Sequence, residues 1–155
     1  MLLFWIVTFL IPLTDFFIKK QICNSIDINT EISTIIPFLK IVLVKNYGVA
    51  LGMFQRKTFI TVILTSVVLI FMMLIVTLKK IKDKILIIAF SFMIGGGIGN
   101  LIDRLLYGYV IDYLKLTFFP PVCNLSDYFI SIGAVIIILY SIADKKSISI
   151  NIRHT

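Results

Sequence analysis

Apolar positions in this chain fall into four blocks, parted by two longer mixed stretches and one short lysine-rich turn. Thr58 to Leu78 is a charge-free run of 21 residues, about 31 Å as a helix at ~1.5 Å per residue, enough to cross a bilayer. The other blocks cover about 1–17, 85–101 and 127–143. The first carries Trp5 as an interfacial anchor and Pro12 as a potential kink. Between blocks the period changes. IIPFLKIVLV is rich in β-branched residues after Pro37, and YGYVIDYLKL alternates, so both read as strands rather than helices. The pattern therefore predicts a membrane α-helical protein: one domain over 1–155, four transmembrane helices, and a small extracytoplasmic β-sheet drawn from 20–57 and 104–125.

Composition agrees with the pattern. Hydrophobic residues make up 59% of 155 and the mean hydropathy is +1.06, well above a soluble domain. The net charge of +7 would suggest nucleic acid in a soluble chain. Here it reflects lysines flanking spans, and no nucleic-acid partner is expected. The 79–84 turn (KKIKDK) and the 144–155 tail hold seven Lys and Arg in short segments; the opposite loops hold eight, spread over longer ones. Density near span ends places both termini in the cytoplasm and Asp15, Asp103, Asp112 and Asp127 near the outer face. The N-terminal block lacks a basic n-region and a small-residue cleavage site, so it reads as a retained span. Cys23 and Cys123 are isolated and read as unpaired thiols; His154, the sole histidine, lies in the polar tail.

The chemistry concentrates in GGGIGNLIDRLLYGYVIDYLKLTFFPPVCNLSD, residues 95–127, which holds three of the eight acidic residues. Carboxylates beside membrane spans are costly and usually functional. Gly95 and Gly99 give small-xxx-small spacing, which lets another helix approach; a nucleotide loop is not implied. Asn100, Asp103 and Arg104 share one helix face, with Asp103 and Arg104 spaced for a structural ion pair. Asn124 suits a helix N-cap with Asp127 at the third position. Asp15 and Lys19 are spaced as an i, i+4 pair, which on an exposed helix contributes roughly 0.3–0.5 kcal/mol; the sharper alternative is a pair anchoring a site. Asn46-x-Gly48 suggests a turn. If Asp112 and Asp127 converge, they share a proton, one activating water while the other polarises an amide carbonyl. No cofactor or metal is expected: transition-metal ligands are not clustered, though an oxygen-only Mg²⁺ or Ca²⁺ site stays open.

These residues resemble lipoprotein signal peptidase (signal peptidase II) over nearly the whole chain. DFFIK (15–19), NYGVALGMF (46–54), GGGIGNLIDRLLYGYVIDY (95–113) and NLSDYFI (124–130) carry the resemblance, the third block being the most specific. It implies an aspartyl endopeptidase of the bacterial cell membrane, cleaving prolipoproteins just before the diacylglyceryl-modified cysteine. The resemblance makes Asp112 and Asp127 the catalytic pair. Asn46, Gly48, Asn100, Asp103, Arg104 and Asn124 become supporting residues, and Asp15 and Lys19 structural or orienting ones. Its implied partners are a lipidated prolipoprotein, membrane lipid and a cyclic peptide inhibitor such as globomycin. The chain departs from the family at Phe16, Tyr47, Val49, Leu51, Cys123 and Ser126, where Gln, smaller or aromatic residues, Phe and Ala are usual; no carboxylate is touched. The rival reading is a small transporter or ion-binding protein using the same carboxylates.

Overall fold

The computed structural model describes residues 1–48, 58–78 and 81–153, without the side chains of 144–153. Expectations placed on Val49, Leu51, Gly52, Phe54, Lys79, Lys80 and His154 lie outside the described residues. In chain order the elements are α1 (Leu2–Ser25), β1 (Glu31–Ser33), β2 (Leu39–Asn46), α2 (Thr58–Leu78), α3 (Lys84–Tyr107), β3 (Val110–Leu116), β4 (Val122–Cys123) and α4 (Leu125–Arg153). Four helices are long and apolar enough to cross a membrane, α4 over Leu125–Ala143. The strands form one antiparallel sheet in the order β1-β2-β3-β4.

Helices α1 and α3 continue past the ends of their apolar runs, to Ser25 rather than about Phe17 and to Tyr107 rather than about Leu101. Charge ends an apolar run; it does not end a helix when the charge finds a buried partner. On α1 the buried positions Phe4, Thr8, Ile11, Pro12, Asp15 and Lys19 recur every three or four residues, a single stripe facing α3. Pro12 has no N–H for the Thr8 carbonyl one turn back. That carbonyl instead lies against Gly95, where a Cβ would stand 3.0 Å from it.

Helix α3 is the hub, packing on α1, α2 and α4. Its glycines serve three neighbours: Gly95 faces α1, Gly97 meets Leu69 of α2, and Gly96 lies on the Ser126 carbonyl of α4. Close approach was expected for Gly95 and Gly99; Gly96 and Gly97 share the work. Around the hub, Phe4, Leu69, Val76, Ile87 and Ile94 form the apolar core. The helix starts on Asp83, whose Oδ1 accepts the N–H groups of Ile85 (2.8 Å) and Leu86 (3.2 Å). It stops at Gly108, left-handed at φ 79°, whose N–H returns to the Arg104 carbonyl.

Replacing Gly96 by Ala presses a methyl onto backbone oxygen of α4 and to 2.9 Å from the Ile130 Cγ1. The expected cost is about 1–3 kcal/mol. Gly97→Ala meets only the end of the Leu69 side chain and should cost less. Thermal unfolding of the two variants in mild detergent checks the order.

The β2–β3 pairing sets up the site. Ile41 faces Leu114, but Val44 faces Asp112, so β2 carries one extra residue between the two pairs. A one-residue slip exchanges the faces of a strand. Without the bulge Leu43 would oppose Asp112 and Asn46 would point to the other side of the sheet. With it, Val44, Asn46 and Asp112 share a face.

Candidate active site

Four segments meet above the hub helix. β3 brings Asp112, the first turn of α4 brings Asp127, β2 brings Asn46, and α3 brings Asn100. Asp112 is buried, at 1% exposure. Its Oδ2 accepts from the Asn46 amide at 2.8 Å and its Oδ1 from the Asn124 amide at 2.7 Å. Asp127 is partly exposed. Its Oδ1 accepts from the Asn100 amide at 2.7 Å and its Oδ2 from the Asn124 backbone N–H at 3.1 Å. The Asn124 Oδ1 accepts the Asp127 N–H at 2.9 Å, closing a reciprocal cap. The same Asn124 amide also donates to the Asn100 Oδ1 at 3.0 Å. Asn124 is thus both the predicted N-cap and the link between two carboxylates from separate elements.

Burial pushes the Asp112 carboxyl up to about 7, and the charge of Asp127 adds to the shift. The two amides donating to Asp112 favour its ionised form but do not offset burial. Beside it, the Cys123 thiol is pushed up to about 11 by burial, then by Asp127 and Asp112. It stays protonated at neutral pH and is no nucleophile. Both cysteines are free thiols.

A second polar cluster lies next to the first. Lys19, 2% exposed, sits between Asp15 at 2.5 Å and Asp103 at 2.8 Å. The exposed-pair expectation for Asp15 and Lys19 is therefore corrected: their charges are removed from solvent, with Asp103 as a third member. The expected Asp103–Arg104 ion pair is corrected too, since Asp103 turns to Lys19. Arg104 donates instead to the carbonyls of Gly48 (3.0 Å) and Asn100 (3.3 Å), tying α3 to the Asn46 turn. In that turn the Gly48 N–H donates to the Asn46 Oδ1 at 2.9 Å, leaving the Asn46 amide N–H groups for Asp112.

The buried triad holds both neighbours of Asp112 and the residue before Asp127. Asp103 accepts the Ile111 N–H at 2.9 Å, one residue before Asp112. Asp15 accepts the Tyr113 hydroxyl at 3.2 Å, one residue after it, and the Ser126 hydroxyl at 2.7 Å, one residue before Asp127. Tyr113 also accepts the Leu125 N–H at 3.3 Å. Burial, then the charge of Asp15, raise the Tyr113 phenol above its ordinary value, so it remains a donor. Tyr113 and Ser126 were missed as site residues in the sequence. No spacing singles out a tyrosine in an alternating strand or a serine in a first helical turn.

Comparison with known proteins gives this geometry its context. A family model described as Signal peptidase (SPase) II matches residues 7–143. The chain is 40% identical over 131 residues to the lipoprotein signal peptidase of Wigglesworthia glossinidia brevipalpis, covering 81% of this chain and 85% of that one. It is 33% identical over 142 residues to that of Halothermothrix orenii, covering 92% and 97%. A solved bacterial membrane enzyme superposes with a TM-score of 0.87 at 26% identity, over 93% of this chain and 90% of the other. With the match running from α1 through the spanning part of α4, and thus through every carboxylate described above, the chain belongs to the signal peptidase II family of membrane peptidases.

Proposed function

We propose that this chain removes signal peptides from diacylglyceryl-modified prolipoproteins, cleaving before the lipidated cysteine with Asp112 and Asp127 as an aspartyl dyad. The observation that carries the reading is the double use of Asn124. Its side chain holds Asp112 and its backbone N–H holds Asp127, which ties two carboxylates from separate elements to one residue. Asp127, partly exposed and at a helix N-terminus, is the base. It takes a proton from water as the oxygen attacks the peptide carbonyl carbon. Asp112 gives its proton to the carbonyl oxygen, forming a neutral tetrahedral diol. On collapse, Asp127 passes its proton to the departing amine and Asp112 recovers one from a diol hydroxyl. Both carboxyls return to their starting state.

Lipid on the substrate fits this placement. The acyl chains stay among the spans while the peptide bond reaches the helix ends, where water is available. The site faces the extracytoplasmic side, with both termini in the cytoplasm, as the lysine density favours. A cyclic peptide such as globomycin would occupy the same dyad. Purified protein incubated with a diacylglyceryl-modified precursor should shorten it, with or without chelator, and should leave an unmodified precursor intact. Cleavage that requires a divalent ion, or that ignores the lipid, would sink the reading.

The pH profile offers an independent check. Asp112 must carry a proton to serve as acid, and it ionises as pH rises through about 7. On that side kcat/KM should fall about tenfold per pH unit. Replacing Asn46 by Leu removes a donor that favours ionised Asp112, so its pKa rises further and the alkaline limb moves to higher pH. An unmoved limb would detach that limb from Asp112.

A further inference from the structure

We propose that the two turns at the far end of the sheet form an apolar anchor seated in the bilayer beside α4. The direction of β3 makes the case. Asp15, Lys19 and Cys23 stand one turn apart on α1, climbing toward its C-terminus. Asp15 receives the Tyr113 hydroxyl, Lys19 meets Asp103, which holds the Ile111 N–H, and Cys23 shares a cavity with Tyr109. Each step up α1 is a step back along β3. The strand therefore descends alongside the bundle, toward the membrane rather than away from it. Its end, Leu116, leads into the 117–121 turn, and β4 returns from there to the start of α4.

The β1–β2 turn reaches the same place, because the Thr117 N–H donates to the Phe38 carbonyl at 3.0 Å. What the two turns present is apolar: Ile35 is 101% exposed, Phe118 73%, Phe38 51% and Phe119 47%. The Phe38 and Phe118 rings lie 6.1 Å apart. A patch of this kind facing water calls for a partner. Here a descending hairpin delivers it to the lipid that α4 already meets with Val135, Ile138 and Leu139. Behind the tip, Lys40 and Lys115 face each other across β2 and β3 and share Glu31, at 3.4 and 2.9 Å. Their stems can lie along the apolar tip with the ammonium groups among lipid phosphates, the usual arrangement at a membrane interface. Bilayer lipid is therefore the occupant, and its grip fixes the depth of the strand that carries Asp112.

Trp5 is the single tryptophan, so Trp5→Phe with Phe118→Trp makes a one-reporter protein, and Phe38→Trp in the same background reads the same tip. In vesicles of acyl-brominated lipid the indole should be blue-shifted and quenched as strongly as Trp5 is in the parent. Both signals should persist when the protein is diluted into more lipid. On the unaltered protein, a photoactivatable acyl-chain probe should label 35–38 and 117–121. Water-like emission with no quenching and no labelling would overturn the proposal. A blue shift lost on dilution would overturn it in favour of a second copy.

Discussion

Replacing Asp112 by Asn should lower cleavage of a lipidated precursor by at least about a thousandfold, and Asp127→Asn should do the same, because the acid and base steps of the proposed dyad fail together. The double variant should be no worse than either single one, since the two groups act as a unit. Steady-state cleavage measured beside thermal unfolding tests this. Neither substitution is silent for the fold. Both oxygens of each carboxylate accept hydrogen bonds: Asp112 from Asn46 and Asn124, Asp127 from Asn100 and the Asn124 N–H. An amide can satisfy only one of the two, so each variant leaves a donor facing a donor, at about 1–3 kcal/mol. The protein should remain folded but melt earlier. Turnover within tenfold of the parent in either variant would end the dyad proposal.

Removal of Lys19 has the largest expected effect on stability. Lys19→Met leaves Asp15 and Asp103 buried at 1% and 2% exposure with no cation between them. Breaking a buried pair from one side costs about 3–5 kcal/mol, a large share of the ~5–15 kcal/mol that a folded domain has in hand. Adding Asp103→Asn removes one uncompensated charge, so the double variant should be more stable than Lys19→Met alone. Unfolding temperatures of the three proteins in one detergent give the answer. A harmless Lys19→Met would mean that the ion cluster does not hold the fold. Activity should fall with stability, because the triad grips Ile111, Tyr113 and Ser126, the residues flanking the dyad.

Much of this protein could be read from residue order. Spans are legible because a lipid-facing helix needs a run of apolar residues of fixed length, and Thr58 to Leu78 supplies one without interruption. Strands are legible because alternation differs in period from a helix, and YGYVIDYLKL shows it around Asp112. The Asn124 N-cap is local, with Asp127 three residues on, and was predicted from spacing; the return bond from the Asn124 N–H to Asp127 was not. Other features depend on contacts between distant segments. Lys19 and Asp103 are 84 positions apart, and nothing local to either says that they meet in a buried cluster instead of with Asp15 alone or with Arg104. The single extra residue in β2 is invisible in a β-branched run, yet it decides that Asn46 faces Asp112. Tyr113 and Ser126 matter only because α1 brings Asp15 between them. Sequence by itself determined the elements and the acids, since period, length and capping act over a few residues. Tertiary structure alone decided which acids are paired by a lysine and which are held together by Asn124, because burial and partner choice are set by what packs from elsewhere in the chain.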